Sequence, residues 1–358
     1  MKNIVEQTRK ENLMKTTNNT PKEQQIKRIE QAIQKHQFSG IFAEYHGDFE
    51  TYCLINGRID LDKQEPIQLD TLFGIASGTK FFTALAIGQL IDEGHLTLDT
   101  PALQVLDLGN PLLDKNMTIR QLLNNTSGFP DYLDESIISD QVEVSITIPN
   151  SELVSPFDYL PLFPKTQNTS VPGAVFKYNN GGYVYLAMII ETISGLSYGE
   201  YMNEKLLRPL GLTRSGVYPV NDLPYNTAKG YYQVEGVEHV NTELIPYQAG
   251  GDGGIYTTVS EMKKLWELFI DGKIISSSLL EQYLKPSICA YPELGIYYGL
   301  GFWIKKASDT LYIPYITGSD IGVSFKTSYH PELKRTIVHV SNTSDGVWQL
   351  NQIVNAFE

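Results

Sequence analysis

Ser77 and Lys80 stand three residues apart in FGIASGTKFFTALAIGQL, at the head of a long apolar run. On an α-helix, residues i and i+3 share a face, so the hydroxyl and the amine can meet if the apolar wall forces Lys80 inward. A desolvated lysine gives up its proton more readily and can then take the serine's. The positive end of the helix dipole at Ser77 stabilises an anion forming there. Read this way the two are a nucleophile and its base; the alternative is a helix cap beside a solvated charge. Two other schemes fail on the residues. A phosphate loop of the form G-x-x-x-x-G-K-[ST] begun at Gly74 needs glycine where Thr79 stands and Ser or Thr where Phe81 stands. A G-x-S-x-G elbow needs glycine where Ile75 stands.

The spacing alone does not discriminate, because Ser260 and Lys263 repeat it in TTVSEMKKLWELF. There Ser260 reads as an N-cap and Lys263 as part of a solvated face. The surroundings of Ser77 separate the two copies. A Ser/Lys scheme needs a further proton carrier, and KYNNGG supplies Tyr178 and Asn180 just ahead of a second apolar helix. Tyr201 and Asn203 copy that pair inside a helix, where packing or surface roles fit better. Asp131 and Tyr132 suit either a cleft wall or a turn. The six histidines are scattered without metal-ligand spacing, so neither a metal nor an organic cofactor is expected.

These residues need elements to hold them. From Pro21, Ile26, Ile29, Ala32 and Ile33 mark an apolar helical face, followed by two strands turning at Gly47 and Asp48. After Ser77 a helix apolar almost all round runs to Gly94, which suits a left-handed C-terminal cap. A loop-rich stretch follows to about residue 175. Helices are predicted over Gly181 to Ser194 and Tyr198 to Leu207. From about residue 231 strands dominate: GIYTT, YYGLGFWIKK, TLYIPYI, GVSFKTSYH and RTIVHVSN, with SEMKKLWELFI as a helix among them. Val347, Leu350, Ile353, Val354 and Phe357 make a closing amphipathic helix.

The order implies an α+β fold: an antiparallel sheet begun at one end of the chain and completed at the other, with helices inserted between. Residues 1–20 read as a polar extension, 21–97 with 231–358 as an α/β sandwich, and 98–230 as a helical subdomain, with the active site at their junction. A net charge of −13 argues against nucleic acid as a partner. Two distant cysteines, Cys53 and Cys289, exclude a disulfide framework. The absence of an export signal and of a membrane span leads to a cytoplasmic expectation.

The chain resembles the serine penicillin-recognising family, which includes class C β-lactamases, D-alanyl-D-alanine carboxypeptidases and related esterases. The resemblance runs from about residue 24 onward and rests on FGIASGTKFFTALAIGQLIDEGHLTLDTP, TIRQLLNNTSGFPDY, FKYNNGGYVYLAMIIE and YGLGFWIKK. It implies a β-lactamase/transpeptidase-like fold with helices from both termini flanking the sheet. It also implies that Ser77 is acylated, that Lys80 assists proton transfer, that Tyr178 is base and leaving-group acid, and that Asn180 contacts the substrate amide. The family's third motif, K-T-G or H-x-G, aligns with YITGSDIGVSF, so Thr317 and Gly318 fit, and the backbone N–H groups of Ser77 and Ser319 are implied as the oxyanion hole.

Two departures stand out: Ile316 replaces the basic Lys or His of that motif, and Asn125 replaces the His of L-L-x-H-T-S-G. Isoleucine cannot pair with a substrate carboxylate. The expected function is therefore a cofactor-free serine hydrolase acting on a small ester or amide, or on a peptide-like substrate. The alternatives are a penicillin-binding carboxypeptidase or β-lactamase, and a non-catalytic binding protein on the same fold.

Overall fold

Alternating residues in the strands at both ends of the chain give each strand two usable faces. The computed structural model describes residues 27–31, 38–47, 49–60, 64–137 and 146–354. The expected polar extension and Phe357 lie outside them. So does most of the first expected helix, of which residues 27–31 are helical with Ile29 buried.

Strands β1 (Gly40–His46) and β2 (Phe49–Asn56) form a hairpin, with Gly47 at a φ of +56°. Short strands follow: β3 (Arg58–Asp60) pairs with β4 (Glu65–Pro66), and β5 (Phe73–Gly74), β6 (Gly216–Val217) and β9 (Ile255–Thr257) make a three-stranded sheet. Strands β7 (Tyr231–Val234) and β8 (Val237–Val240) pair with each other. The main sheet is completed by β10 (Ile288–Tyr291), β11 (Ile296–Tyr298), β12 (Trp303–Lys306), β13 (Tyr312–Asp320), β14 (Val323–His330) and β15 (Arg335–Ser341). Its eight strands run β10-β11-β12-β13-β14-β15-β1-β2, every neighbouring pair antiparallel. Strands from opposite ends of the chain thus lie side by side, β1 against β15.

One phase of the pleat, Ile41 and Ala43 with Val338 and Val340, faces the large core; the other, Phe42 and Ile337, faces a smaller one closed by Ile29 and Leu350 of the terminal helices. Helix α1 (Thr79–Asp92) lies in the large core, and eleven of its residues are buried. An apolar surface on all sides has no solvent face to offer, as its composition required. The helix ends before Gly94, which takes a left-handed φ of +81°. Short helices α2 (Ala102–Val105) and α3 (Ile119–Leu123) precede α4 (Asn180–Ser194). Helices α6 (Val259–Ile270), α7 (Ser277–Leu284) and α8 (Gly346–Val354) follow α5 (Tyr198–Glu200).

Three local expectations are corrected. The segment YGLGFWIKK is a hairpin: Gly301 has a φ of +99°, and a Cβ there would come within 2.4 Å of the Ala84 Cβ, so the turn packs on α1. The helix expected from Tyr198 to Leu207 is α5 followed by a π-helical stretch, Tyr201–Leu207. The cap of α6 is Thr258, whose hydroxyl accepts from the Glu261 N–H; Ser260 lies inside the helix, and Lys263 is largely covered and pairs with Glu267 at 2.9 Å. Among the described residues no helix is long and apolar enough to cross a membrane.

Candidate active site

Ser77 lies in a single 3-10 turn, Ala76–Gly78, that runs into α1. Ala76 has a φ of +46°, a conformation that costs a non-glycine residue energy and that the packing around it must maintain. The turn is clamped from two sides. The Ile75 N–H donates to the Ile255 carbonyl of β9, and the Gly78 N–H donates back to Ile75 at 2.8 Å.

Lys80, one turn on, is 1% exposed. Its Nζ lies 2.9 Å from Ser77 Oγ, 2.7 Å from Asn180 Oδ1 and 3.0 Å from the Asp252 carbonyl oxygen. Two positions on the nitrogen therefore donate to carbonyl oxygens, and the third is aimed at the serine hydroxyl. The amine also lies 4.9 Å from the Tyr178 ring centroid. Ser77 and Lys80 thus meet, as the i and i+3 spacing allows, whereas Ser260 lies 3.1 Å from the Thr258 hydroxyl and Lys263 pairs with Glu267.

Tyr178 is oriented by an aromatic wall. Its ring stacks on Trp303 of β12 at 5.8 Å with an interplanar angle of 8°, and Tyr298 of β11 meets both rings edge-on. Burial, then the charge of Glu135, hold the phenol well above its ordinary pKa, against the lowering effect of a hydrogen bond with Ser77. The phenol is therefore neutral at physiological pH.

Asn180 is buried at the start of α4, with its N–H and that of Gly181 capped by the Asp131 carboxylate at 2.9 and 2.8 Å. Burial pushes Asp131 up to about 6 against these same bonds. Both N–H groups of the Asn180 amide are taken, by the Leu133 carbonyl at 3.0 Å and by Glu135 at 2.9 Å. The Asn180 carbonyl oxygen meets Lys80 on the other side, so the residue joins the Lys80 amine to the Leu133–Glu135 segment. Asn125, with a left-handed φ of +57°, accepts through its carbonyl from Lys177 N and through its side chain from Asn179 N, straddling Tyr178.

Gly318 of β13 faces the Ser77 turn. Ile316 takes the same phase of the strand and is 2% exposed in the large core. Thr317 and Ser319 take the other phase. Ser77 lies where two cavities meet. One, of about 490 Å³, is bordered by Tyr178, Trp303, Lys177, Thr317, Gly318 and Ser319. The other, of about 330 Å³, is bordered by Ser319, Asn180, Tyr132, Glu135, Asp252 and Asp320. Tyr132 borders it as a wall, its hydroxyl donating to Asp252 Oδ2 at 2.6 Å.

Sequence reasoning missed Asp252, Glu135, Asp320, Tyr159 and the orienting role of Trp303. Asp252 carried a signal, standing between glycine pairs in AGGDGG, where Gly251 and Gly254 have φ values of +103° and +101°. No group of His, Cys, Asp and Glu among the described residues can hold a metal.

Known proteins resemble the chain over most of its length. The Beta-lactamase family model matches residues 26–349. Penicillin-binding protein 4* of Bacillus subtilis is 27% identical over 91% of this chain and 72% of its own. Teichoic acid D-alanine hydrolase of Staphylococcus aureus is 25% identical over 81% of this chain and 68% of its own. The structure of a penicillin-binding protein from Bacillus halodurans superposes with a TM-score of 0.85 at 32% identity, covering 92% of this chain and all of that one. With the fold, the family match and the Ser/Lys geometry in agreement, the chain belongs to the β-lactamase family and is a serine hydrolase.

Proposed function

We propose that the hydrolase works through an acyl-enzyme on Ser77 and cleaves a small ester or amide. The observation that carries this is the Lys80 amine, buried and held by two carbonyl oxygens with its remaining position on Ser77 Oγ. Ser77 Oγ attacks the substrate carbonyl carbon while its proton passes to Lys80. The new oxyanion meets the N–H groups of Ser77 and Ser319, which border the same two cavities. As the ester or amide bond breaks, the neutral Tyr178 phenol protonates the leaving oxygen or nitrogen and is reprotonated from Lys80, so the serine's proton leaves with the product. Water then attacks the acyl carbon, one of its protons returns to Ser77 by the same route, and the acid is released. This assigns Tyr178 the acid's role and Lys80 the base's, a division supported by the raised Tyr178 pKa.

The relative named teichoic acid D-alanine hydrolase supports a hydrolytic activity. The second reading, a penicillin-recognising carboxypeptidase or β-lactamase, draws on the relative named penicillin-binding protein 4*. Against it, buried Ile316 offers no cation to a substrate carboxylate. Intact masses after incubation with an activated serine probe and with labelled penicillin, for wild type and Ser77→Ala, separate these readings. A Ser77-dependent adduct from the probe alone is expected. Adducts from both reagents favour the penicillin reading, and no Ser77-dependent adduct favours a non-catalytic protein.

A further inference from the structure

Asp131 and Tyr132 take no part in the acyl-transfer steps, yet each is bonded to a different holder of the Lys80 amine. Lys80 Nζ donates to two carbonyl oxygens that come from separate elements: Asn180 Oδ1, on the first residue of α4, and the backbone oxygen of Asp252, in the loop before β9. The amine points at Ser77 only as well as those two oxygens are placed.

Neither acceptor is well fixed by its own element. The first N–H groups of a helix find no acceptor within it, so the end of α4 that carries Asn180 depends on oxygens from outside. Asp131 supplies them: its carboxylate accepts from Asn180 N at 2.9 Å and Gly181 N at 2.8 Å, and Leu133 N closes on the same group at 3.2 Å. Asp252 stands between Gly250 and Gly251 on one side and Gly253 and Gly254 on the other. Glycine leaves the backbone its widest freedom, and across these five residues the Asp252 side chain is the only one that can be gripped. Tyr132 grips it, the phenol donating to Asp252 Oδ2 at 2.6 Å. The Tyr132 ring is itself held, edge-on to Tyr159 at 5.2 Å and tilted against Phe163 at 6.3 Å. To either side the loop is tied to α1, where the Thr83 hydroxyl donates to the Gly251 carbonyl at 2.6 Å and Thr79 Oγ1 receives the Ile255 N–H at 3.0 Å. Between those ties, Tyr132 is the side-chain anchor of the residue whose oxygen meets Lys80.

We infer that Asp131 and Tyr132 are positioning residues: this dipeptide clips the head of α4 to the glycine loop, fixes both carbonyl acceptors of the Lys80 amine at once, and so leaves its remaining position on Ser77 Oγ. The inference rests on Lys80 as the base for Ser77. A loop bonded to both elements sets their separation, which neither sets alone. It gives Tyr132 a part in the rate of the reaction, distinct from the place it has on the cavity wall. A base displaced by about an ångström from the group it serves loses roughly 100-fold in rate, so a clip of two hydrogen-bonded side chains is worth measuring as catalysis.

The test follows p-nitrophenyl acetate hydrolysis by wild type, Ser77→Ala, Tyr132→Phe, Asp131→Asn, Asn180→Ala and the double variant Asp131→Asn with Asn180→Ala. Tyr132→Phe, which loses one oxygen and keeps the ring, and Asp131→Asn are each expected to lower kcat about tenfold with KM within about threefold of wild type. Because Asp131 acts through Asn180, its substitution is expected to cost less than about threefold on top of Asn180→Ala, the non-additivity of residues that work as a unit. A raised KM with kcat preserved makes Tyr132 a substrate contact and overturns the clip. A change in kcat under about twofold in Tyr132→Phe also overturns it, and this near-isosteric variant keeps the test open if Asp131→Asn does not fold. So does a full tenfold loss from Asp131→Asn in the Asn180→Ala background, since a residue that only stabilises the fold acts in either background. Turnover that depends on Ser77 and that neither variant lowers rejects the clip alone, whereas no Ser77-dependent turnover rejects the nucleophile and the clip with it.

Discussion

Gly318 lies so close to Ile75 that a Cβ on it would stand 2.0 Å from the Ile75 carbonyl oxygen and 3.0 Å from Gly78 N. The strand thus seats directly on the turn that carries Ser77, with the Ser319 peptide beside the nucleophile. Backbone cannot yield as a flexible side chain does. Gly318→Ala is expected to lift β13 off the turn and lower kcat by about 100-fold, the scale of losing an oxyanion donor. Steady-state kinetics on a neutral ester measure this; a change under threefold is the contrary outcome.

Asn180 gives Lys80 one of its two carbonyl acceptors, at 2.7 Å. Its removal frees the amine to swing from Ser77 and also releases the Leu133 carbonyl and Glu135 on the wall of the smaller cavity. Asn180→Ala should reduce kcat by about 100-fold with KM altered only a few-fold, on the scale of general-base catalysis. An equal rise in KM with kcat preserved points to a substrate contact instead.

Tyr178 depends on Trp303 for its orientation, the rings lying 8° from parallel. Trp303→Ala should lower kcat about tenfold through a loosened phenol, a misplacement effect. Trp303→Phe, which keeps a stacking face, should recover most of that. Loss of substrate affinity in both variants, with kcat intact, identifies Trp303 as a binding wall only.

His339 of β15 is buried, with Phe42 beside it at 4.4 Å and Lys326 opposite in the register, and neither ring nitrogen has a partner among the described residues. Burial, then Lys326, push its pKa down to about 3. The folded state therefore refuses a proton that the unfolded chain binds below its ordinary value near 6.5, so stability falls as the pH drops from that value towards 3. This group alone should make the protein roughly 3 kcal/mol less stable at pH 4 than at pH 7. His339→Phe is expected to flatten the acid limb of urea-denaturation midpoints measured across that range.

Ile316 is where the family's base is missing, yet its place in the large core makes restoration costly. Ile316→Lys should lose roughly 3 kcal/mol or more through an unpaired buried charge. Urea denaturation reads the loss, and a gain in penicillin labelling at unchanged stability is the opposite result.

Much of the fold was legible because its signals are local. The largely apolar α1, the left-handed glycine after it and the alternation of β13 to β15 each follow from residues close together in the chain. Half of the candidate site was legible for a related reason: Ser77 and Lys80 are neighbours on one turn, and Tyr178 stands two residues before Asn180, the first residue of α4. Trp303 and Asp320 were not, because nothing near either residue says that one supports Tyr178 and the other borders Ser77. Asp252 reaches Lys80 through its backbone carbonyl, 172 positions away in the chain, and a backbone atom leaves no residue-type signature at all. Asn180 was legible as a candidate for the site, but its bonds to Leu133 and Glu135 were not, because they are set by how a loop folds back.

The pairing of β1 with β15 also has a consequence in time. On the ribosome the turn bearing Ser77 emerges more than two hundred residues before the strand that must seat against it, so the proposed nucleophile exists for most of synthesis without its proposed oxyanion partner. Long-range antiparallel closure of this kind is slow, since distant segments must meet before either is rewarded. Competence to cleave therefore arrives with the last strands of the sheet, and a chain halted before β13 carries a reactive pair that has nothing to react within.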